Sequence, residues 1–152
     1  MKVPRMRVFA GPNGSGKSTI KAVISSKFLG HYLNPDEIEK SVNDNSYLDL
    51  RGMNIKTNRQ EVIDFFYQHP LLEKTENGDF VDAIKYIDKG FIDFGDVGFD
   101  SYMSAILTDF LRHKYLETHQ SFTFETVMSS PDKVDILEKA QKRYFAINNL
   151  DA

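Results

Sequence analysis

Nine consecutive residues carry the most specific chemistry in this sequence: Gly11, Pro12, Asn13, Gly14, Ser15, Gly16, Lys17, Ser18 and Thr19. They satisfy the phosphate-loop pattern Gly-x-x-x-x-Gly-Lys-Ser/Thr without a gap. Gly11, Gly14 and Gly16 lack a Cβ, so the backbone can take unusual dihedrals and close on a phosphate. Backbone N–H groups at the start of a following helix, together with its dipole, make an anion site. Lys17 can reach the β- and γ-phosphates of a nucleotide, and the Ser18 hydroxyl is suited to ligate Mg²⁺. A glycine-rich turn ahead of a helix would not need Lys-Ser after the last glycine. The pattern therefore predicts nucleotide binding, and leaves open what happens to the nucleotide.

Two carboxylates stand at corresponding places further on. His31-Tyr32-Leu33-Asn34 reads as a short strand, followed by Pro35-Asp36-Glu37-Ile38. In an open α/β sheet the residues just past the carboxyl ends of strands line the ligand crevice, which would bring Asp36 to the edge that carries the glycine loop. The other reading of Asp36 is a first-turn helix carboxylate favoured by the dipole, and spacing alone does not choose between them. Gln120 to Met128 has strand character, with Phe122 and Phe124 alternating with Thr123 and Glu125. Glu125, Thr126, Ser129 and Ser130 then fall at or beyond a strand end. Glu125 is either an acid holding Mg²⁺ through water, a ligand for a substrate hydroxyl, or a solvent-facing strand residue.

The elements needed to position these groups are legible. Met6-Arg7-Val8-Phe9-Ala10 is a mostly apolar run that reads as a buried strand. Ile20, Val23, Ile24 and Phe28 recur at helical spacing after the loop, and Gly30 stands where a C-cap glycine would. Ser130-Pro131-Asp132 announces another helix, with Val134, Leu137 and Ala140 as its periodic positions and Ile136 on a flank. Strand, loop and helix in this order predict an α/β, Rossmann-like P-loop NTPase fold with a mostly parallel sheet. Residues 1–152 read as a single domain, in which 40–118 form a mainly helical insertion.

That insertion carries less chemistry. Asn43 to Ser46 is turn-like, and Thr57-Asn58-Arg59-Gln60 has capping-box spacing ahead of Val62, Ile63, Phe66 and Tyr67, a helix stopped by Pro70. Asp79 could cap a helix presenting Phe80, Ala83, Ile84 and Ile87. Phe91-Ile92-Asp93-Phe94 is an aromatic loop or short extended piece. Asp100 to Thr118 predicts a longer helix with Met103, Ile106, Leu107, Phe110 and Leu111 inward. Asp93-Phe94-Gly95 spells a protein-kinase tripeptide, but no His-Arg-Asp loop accompanies it, so it reads as a turn. The four histidines show no metal-ligand spacing.

Composition narrows the class. Hydrophobic content of 41% and charged content of 27% in 152 residues describe a globular chain with a real core. A net charge of -3 without a basic block disfavours a general nucleic-acid surface. The sequence has no cysteine, which excludes disulfides and thiolate chemistry. No apolar run is long enough to span a membrane, so a cytoplasmic protein without a membrane partner is the expectation.

Taken in order, AGPNGSGKST, LNPDEI and FTFETVMSSP resemble the zeta-toxin family of phosphate-loop kinases, in its predicted ABC-type ATPase branch. The resemblance implies ATP and Mg²⁺ as cofactors and phosphoryl transfer to a small-molecule hydroxyl, a nucleotide sugar in the best-known members. It also implies an antitoxin protein as a partner. Carried over by position, Lys17 and Ser18 hold phosphates and Mg²⁺, Asp36 takes the proton from the attacking hydroxyl, and Glu125 and Thr126 contact substrate. Family members continue with another core strand, an arginine-bearing lid and a last strand. By comparison this sequence reads as C-terminally incomplete, which raises an alternative: a catalytically impaired nucleotide-binding or toxin–antitoxin interaction remnant. An ABC-type ATPase is the other alternative, but its Leu-Ser-Gly-Gly-Gln signature is missing. So is the Asn-Lys-x-Asp of GTPases.

Overall fold

The computed structural model describes residues 3–10, 30–75, 78–88, 90–96, 98–126, 131–143 and 145–151. In chain order the elements are β1 (Arg5–Ala10), β2 (His31–Leu33), α1 (Pro35–Asn45), β3 (Tyr47–Asp49) and α2 (Arg59–Gln68). Two 3-10 helices follow, Pro70–Lys74 and Gly78–Ala83. The remainder is β4 (Lys85–Ile87), β5 (Phe91–Asp93), α3 (Ser101–Glu117), β6 (Phe122–Thr126), α4 (Pro131–Lys142) and β7 (Ala146–Asp151). The chain divides into two compact units, Met1–Asn34 with Arg112–Ala152, and Pro35–Leu111. The expected α/β class with a parallel sheet is what the chain forms.

The first unit is built on a four-stranded sheet in the order β2-β6-β1-β7. Every pairing in it is parallel. The register sets Val8 opposite Phe124 and Phe9 opposite Glu125, so the two faces can be read directly. One face carries Met6, Val8, Leu33, Phe122 and Phe124, all buried. Tyr115 of α3 stacks on Phe122 with ring centroids 5.6 Å apart and on His31 at 4.5 Å. The Arg112 guanidinium lies 4.7 Å over the Phe124 ring. The opposite face carries Phe9, Tyr32, Thr123 and Glu125. Burial on both faces explains why β1 reads as a mostly apolar run.

One local expectation is revised in this unit. In α4 the inward residues are Ile136 and Ala140, whereas Val134 is 58% exposed. The last strand, β7, runs from Ala146 to Asp151 and pairs with the whole of β1. A parallel partner supplies the ladder hydrogen bonds that Asn148 and Asn149 would not favour by propensity alone. Gly30 has φ +62°, as a helix-ending glycine would, and the helix expected before it lies outside the described residues.

The second unit is mainly helical but also contains a three-stranded antiparallel sheet, β3-β5-β4. Leu48 and Ile92 face its core, together with Ile38 and Val42 of α1 and Val62, Ile63 and Phe66 of α2. The five α3 residues expected inward, Met103, Ile106, Leu107, Phe110 and Leu111, are all buried. Phe66 meets Phe80 edge-on at 5.4 Å, and Phe94 packs on Phe99 at 4.8 Å. The start of α2 uses Asn58 as its cap: the side chain accepts from the Glu61 N–H at 2.8 Å. The segment expected as one helix from Asp79 is instead a 3-10 turn followed by β4, because Lys85, Tyr86 and Ile87 pair with β5.

Candidate functional site

The topology singles out one edge of the parallel sheet. From β1 the chain passes to β2, two places to one side, and from β6 it passes to β7, two places to the other. β1 and β6 are therefore neighbours whose connections leave in opposite directions, the arrangement that opens a ligand crevice at the strands' carboxyl ends. Ala10 and Thr126 stand in register at those two ends. Gly11 to Thr19 follows Ala10 directly and lies outside the described residues, as do Ser129 and Ser130.

Glu125 is the carboxylate the fold brings to this edge. It is 8% exposed, which is unusual for a glutamate and calls for a partner. Its partner is Tyr32: the phenol O–H donates to Glu125 Oε1. The register explains the meeting, because Tyr32 lies opposite Thr123 and Glu125 is two residues further along the same face. Tyr32 is held in turn by the Phe9 ring, with centroids 6.1 Å apart. The solvent-facing reading of Glu125 is overturned by this burial. Thr126 shares the strand end with its backbone paired to β1.

Asp36 occupies the first turn of α1, three residues past the end of β2, and its side chain is exposed. The first-turn reading of Asp36 describes its position. Glu39, one turn on, is a carboxylate the sequence did not single out. Its pKa is pushed up by burial, then by the neighbouring charges of Asp36 and Asp100. Asp100 is engaged as the cap of α3, where Oδ1 accepts from the Met103 N–H at 2.8 Å. The signal that could have found Glu39 was its spacing of one helical turn from Asp36.

Other polar features lie elsewhere or serve the fold. A cavity of about 450 Å³ is lined by His113, Leu116, Glu117, Lys139, Lys142 and Arg143. These residues sit where α3 and α4 end, at the amino edge of the sheet, and Lys139 and Lys142 complement the C-terminal dipole of α4. Lys139 Nζ is 2.9 Å from Asp135 Oδ2 and donates to His113 Nε2 at 2.9 Å. Asp93-Phe94-Gly95 is a turn: Asp93 Oδ1 accepts from the Gly95 N–H at 2.8 Å, and Gly95 has φ +68°. Among the described residues no group of three metal-ligating side chains converges, and no helix is long and apolar enough to cross a membrane.

Glu125 fits the outer environment of a magnesium ion: a buried carboxylate, held on one oxygen, at the end of the strand beside β1. Comparison of the chain with protein-family models, curated proteins and solved structures returns no match.

Proposed function

We propose that this protein is a zeta-toxin-like phosphotransferase that binds ATP with Mg²⁺ and phosphorylates a hydroxyl of a small molecule, a nucleotide sugar being the first class to test. The observation that carries the reading is the sequence Gly11 to Thr19 issuing from the carboxyl end of β1, beside the end of β6 with its buried Glu125. Bound ATP supplies the phosphoryl group, and Mg²⁺ offsets charge on its oxygens.

The residues divide the work by chemistry. Backbone N–H groups of Gly11, Asn13, Gly14, Ser15, Gly16 and Thr19 suit the phosphate oxygens, and Pro12, which has no N–H, restricts the loop's backbone. Lys17 adds a point charge, and the Ser18 hydroxyl is a magnesium ligand type. Glu125 holds metal-bound water, and with Thr126 contacts the acceptor. Asp36 accepts the proton that the acceptor hydroxyl loses. Positioning plus a base covers most of what this reaction asks of a protein. A cytoplasmic location and an antitoxin partner belong to the same proposal.

The test is thermal denaturation with and without Mg·ATP, then turnover. Ligand at about 100 times its Kd stabilises the folded state by about 2.7 kcal/mol, so the parent's midpoint rises and Lys17→Ala removes the rise. Asp36→Asn retains the rise and loses ATP-dependent phosphorylation in a nucleotide-sugar screen. No midpoint change in the parent at millimolar Mg·ATP overturns nucleotide binding. Equal turnover in parent and Asp36→Asn eliminates Asp36 as the base.

A further inference from the structure

Glu125 and Tyr32 come from strands 93 residues apart in sequence, yet they form a specific polar pair at the carboxyl end of the sheet. Neither residue type is required there by packing. A leucine in place of Tyr32 and a valine in place of Glu125 would satisfy two strands buried on this face, as Phe9 does beside them. A buried carboxylate instead costs desolvation, which its hydrogen bond offsets only in part. Such pairs persist where the carboxylate has a further task.

The pairing constrains the carboxylate in a particular way. A tyrosine has one O–H donor and, in this pair, gives it to Oε1. Glutamate has three rotatable side-chain bonds, and an unrestrained carboxylate would sample several orientations. Tyr32 cannot follow it, because β2 fixes its backbone by register and the Phe9 ring flanks its own. The carboxylate is therefore fastened at one oxygen. Oε2 retains its acceptor capacity. Magnesium tolerates little departure from octahedral geometry and keeps several waters, so a carboxylate that orients those waters must itself be oriented.

We infer that Tyr32 is the positioning residue for Glu125, fastening Oε1 so that Oε2 can accept from water on a nucleotide-bound divalent cation. This rests on the nucleotide-binding reading above, and extends it to a residue outside the three motif segments. Tyr32 touches neither the nucleotide nor the acceptor in this assignment, and acts only through Glu125.

Mn²⁺, as a paramagnetic stand-in for Mg²⁺, reports cation binding without turnover. Its affinity in the presence of ATP is to be measured by electron paramagnetic resonance for the parent, Tyr32→Phe, Glu125→Gln and the double variant. ATP binding in EDTA is measured in parallel by calorimetry. Phenylalanine keeps the ring beside Phe9 and removes only the O–H. Loss of an orienting partner typically costs about 10- to 100-fold in metal affinity, so Tyr32→Phe is expected to weaken Mn²⁺ by about 10-fold. Its metal-free ATP affinity stays that of the parent. Glu125→Gln weakens Mn²⁺ at least as much, and the double variant is no weaker than Glu125→Gln alone. Parent-like Mn²⁺ affinity in Tyr32→Phe, or losses that add in the double variant, overturns the inference alone. A parent that binds neither ATP nor Mn·ATP overturns the nucleotide reading and this inference with it.

Discussion

His69 donates from Nε2 to Asp109 Oδ2 across 2.9 Å, with both side chains more than nine-tenths buried. The ring's other nitrogen, Nδ1, accepts from the Leu71 N–H at 3.1 Å. A nitrogen that accepts carries no proton, so the ring is the neutral Nε2–H tautomer. It resembles the histidine–carboxylate pair of a general base, but the nitrogen that would take a proton is already engaged. Its role is structural: it caps the 3-10 turn at Pro70 and ties that turn to α3. His69→Leu should cost about 1.5–3 kcal/mol, the range for losing a hydrogen bond to a charged group. Asp109→Asn should cost less than about 1 kcal/mol, because the amide oxygen still accepts from Nε2. Urea denaturation at pH 7 checks both. Equal losses would mean that the Asp109 charge, and not only its hydrogen bond to His69, holds this part of the fold.

Gly30 and Gly52 separate two costs that are usually confounded. Gly30 has φ +62°, and a Cβ there would lie 2.8 Å from the Ser121 carbonyl oxygen. Gly52 has φ +87° with nothing within 4 Å of a Cβ. Gly52→Ala should cost about 1–2 kcal/mol, the left-handed penalty alone. Gly30→Ala should cost more than Gly52→Ala, because the obstructing atom is backbone and cannot rotate away. Chemical denaturation of the two variants gives the difference. A smaller loss at Gly30 would show that β2 and the start of β6 can separate freely.

Glu39 predicts a pH-dependent gain of stability on neutralisation. Its pKa is raised in the fold by burial and by Asp36 and Asp100, so the folded state binds the proton more tightly than the unfolded chain. Any stability from that proton is present below the unfolded value of about 4.5 and is lost as pH rises through the folded value. At pH 7 the ionised group is a net cost, reduced by solvent screening. Glu39→Gln should therefore stabilise by less than about 1 kcal/mol at pH 7, with the gain vanishing by about pH 4. Thermal midpoints across that range check it. A gain independent of pH would assign the effect to packing.

The kinase-like tripeptide is testable apart from the glycine loop. Asp93 serves its own turn, so Asp93→Ala should cost about 0.5–1.5 kcal/mol and leave Mg·ATP affinity unchanged. Phe94 is buried between Phe66 and Phe99, and Phe94→Ala should cost about 3–5 kcal/mol. Calorimetric titration with Mg·ATP is the deciding measurement, and a large loss of affinity in Asp93→Ala would make this turn a nucleotide contact.

Long periodic signals were the legible ones. The α3 residues Met103 to Leu111 declared their inward face because five apolar side chains recur over more than two turns. The capping-box spacing of Thr57 to Gln60 announced the start of α2 one residue early, since the cap is Asn58. The antiparallel sheet was illegible because β3, β4 and β5 have three residues each, too few to show alternation. β3 pairs with β5 across more than forty residues, which no local pattern encodes. Among the candidate site residues, Glu125 and Asp36 were singled out by their places at or after strand-like runs. Tyr32 was not, since its significance lies in the register between β2 and β6. Strand ends aligned by their following motifs would have hinted at it.

The order β2-β6-β1-β7 also has a consequence for biogenesis. β1 leaves the ribosome more than a hundred residues ahead of both of its sheet neighbours, Phe122–Thr126 and Ala146–Asp151. At about 5–20 residues per second, β1 waits on the order of ten seconds before either neighbour can be in place. An apolar strand with unpaired edges is exposed for that interval, and such edges attract foreign strands. The second unit, whose residues are contiguous from Pro35 to Leu111, carries all its own partners by the time it emerges. Nascent-chain chaperones should therefore hold β1 longer than any strand of the second unit.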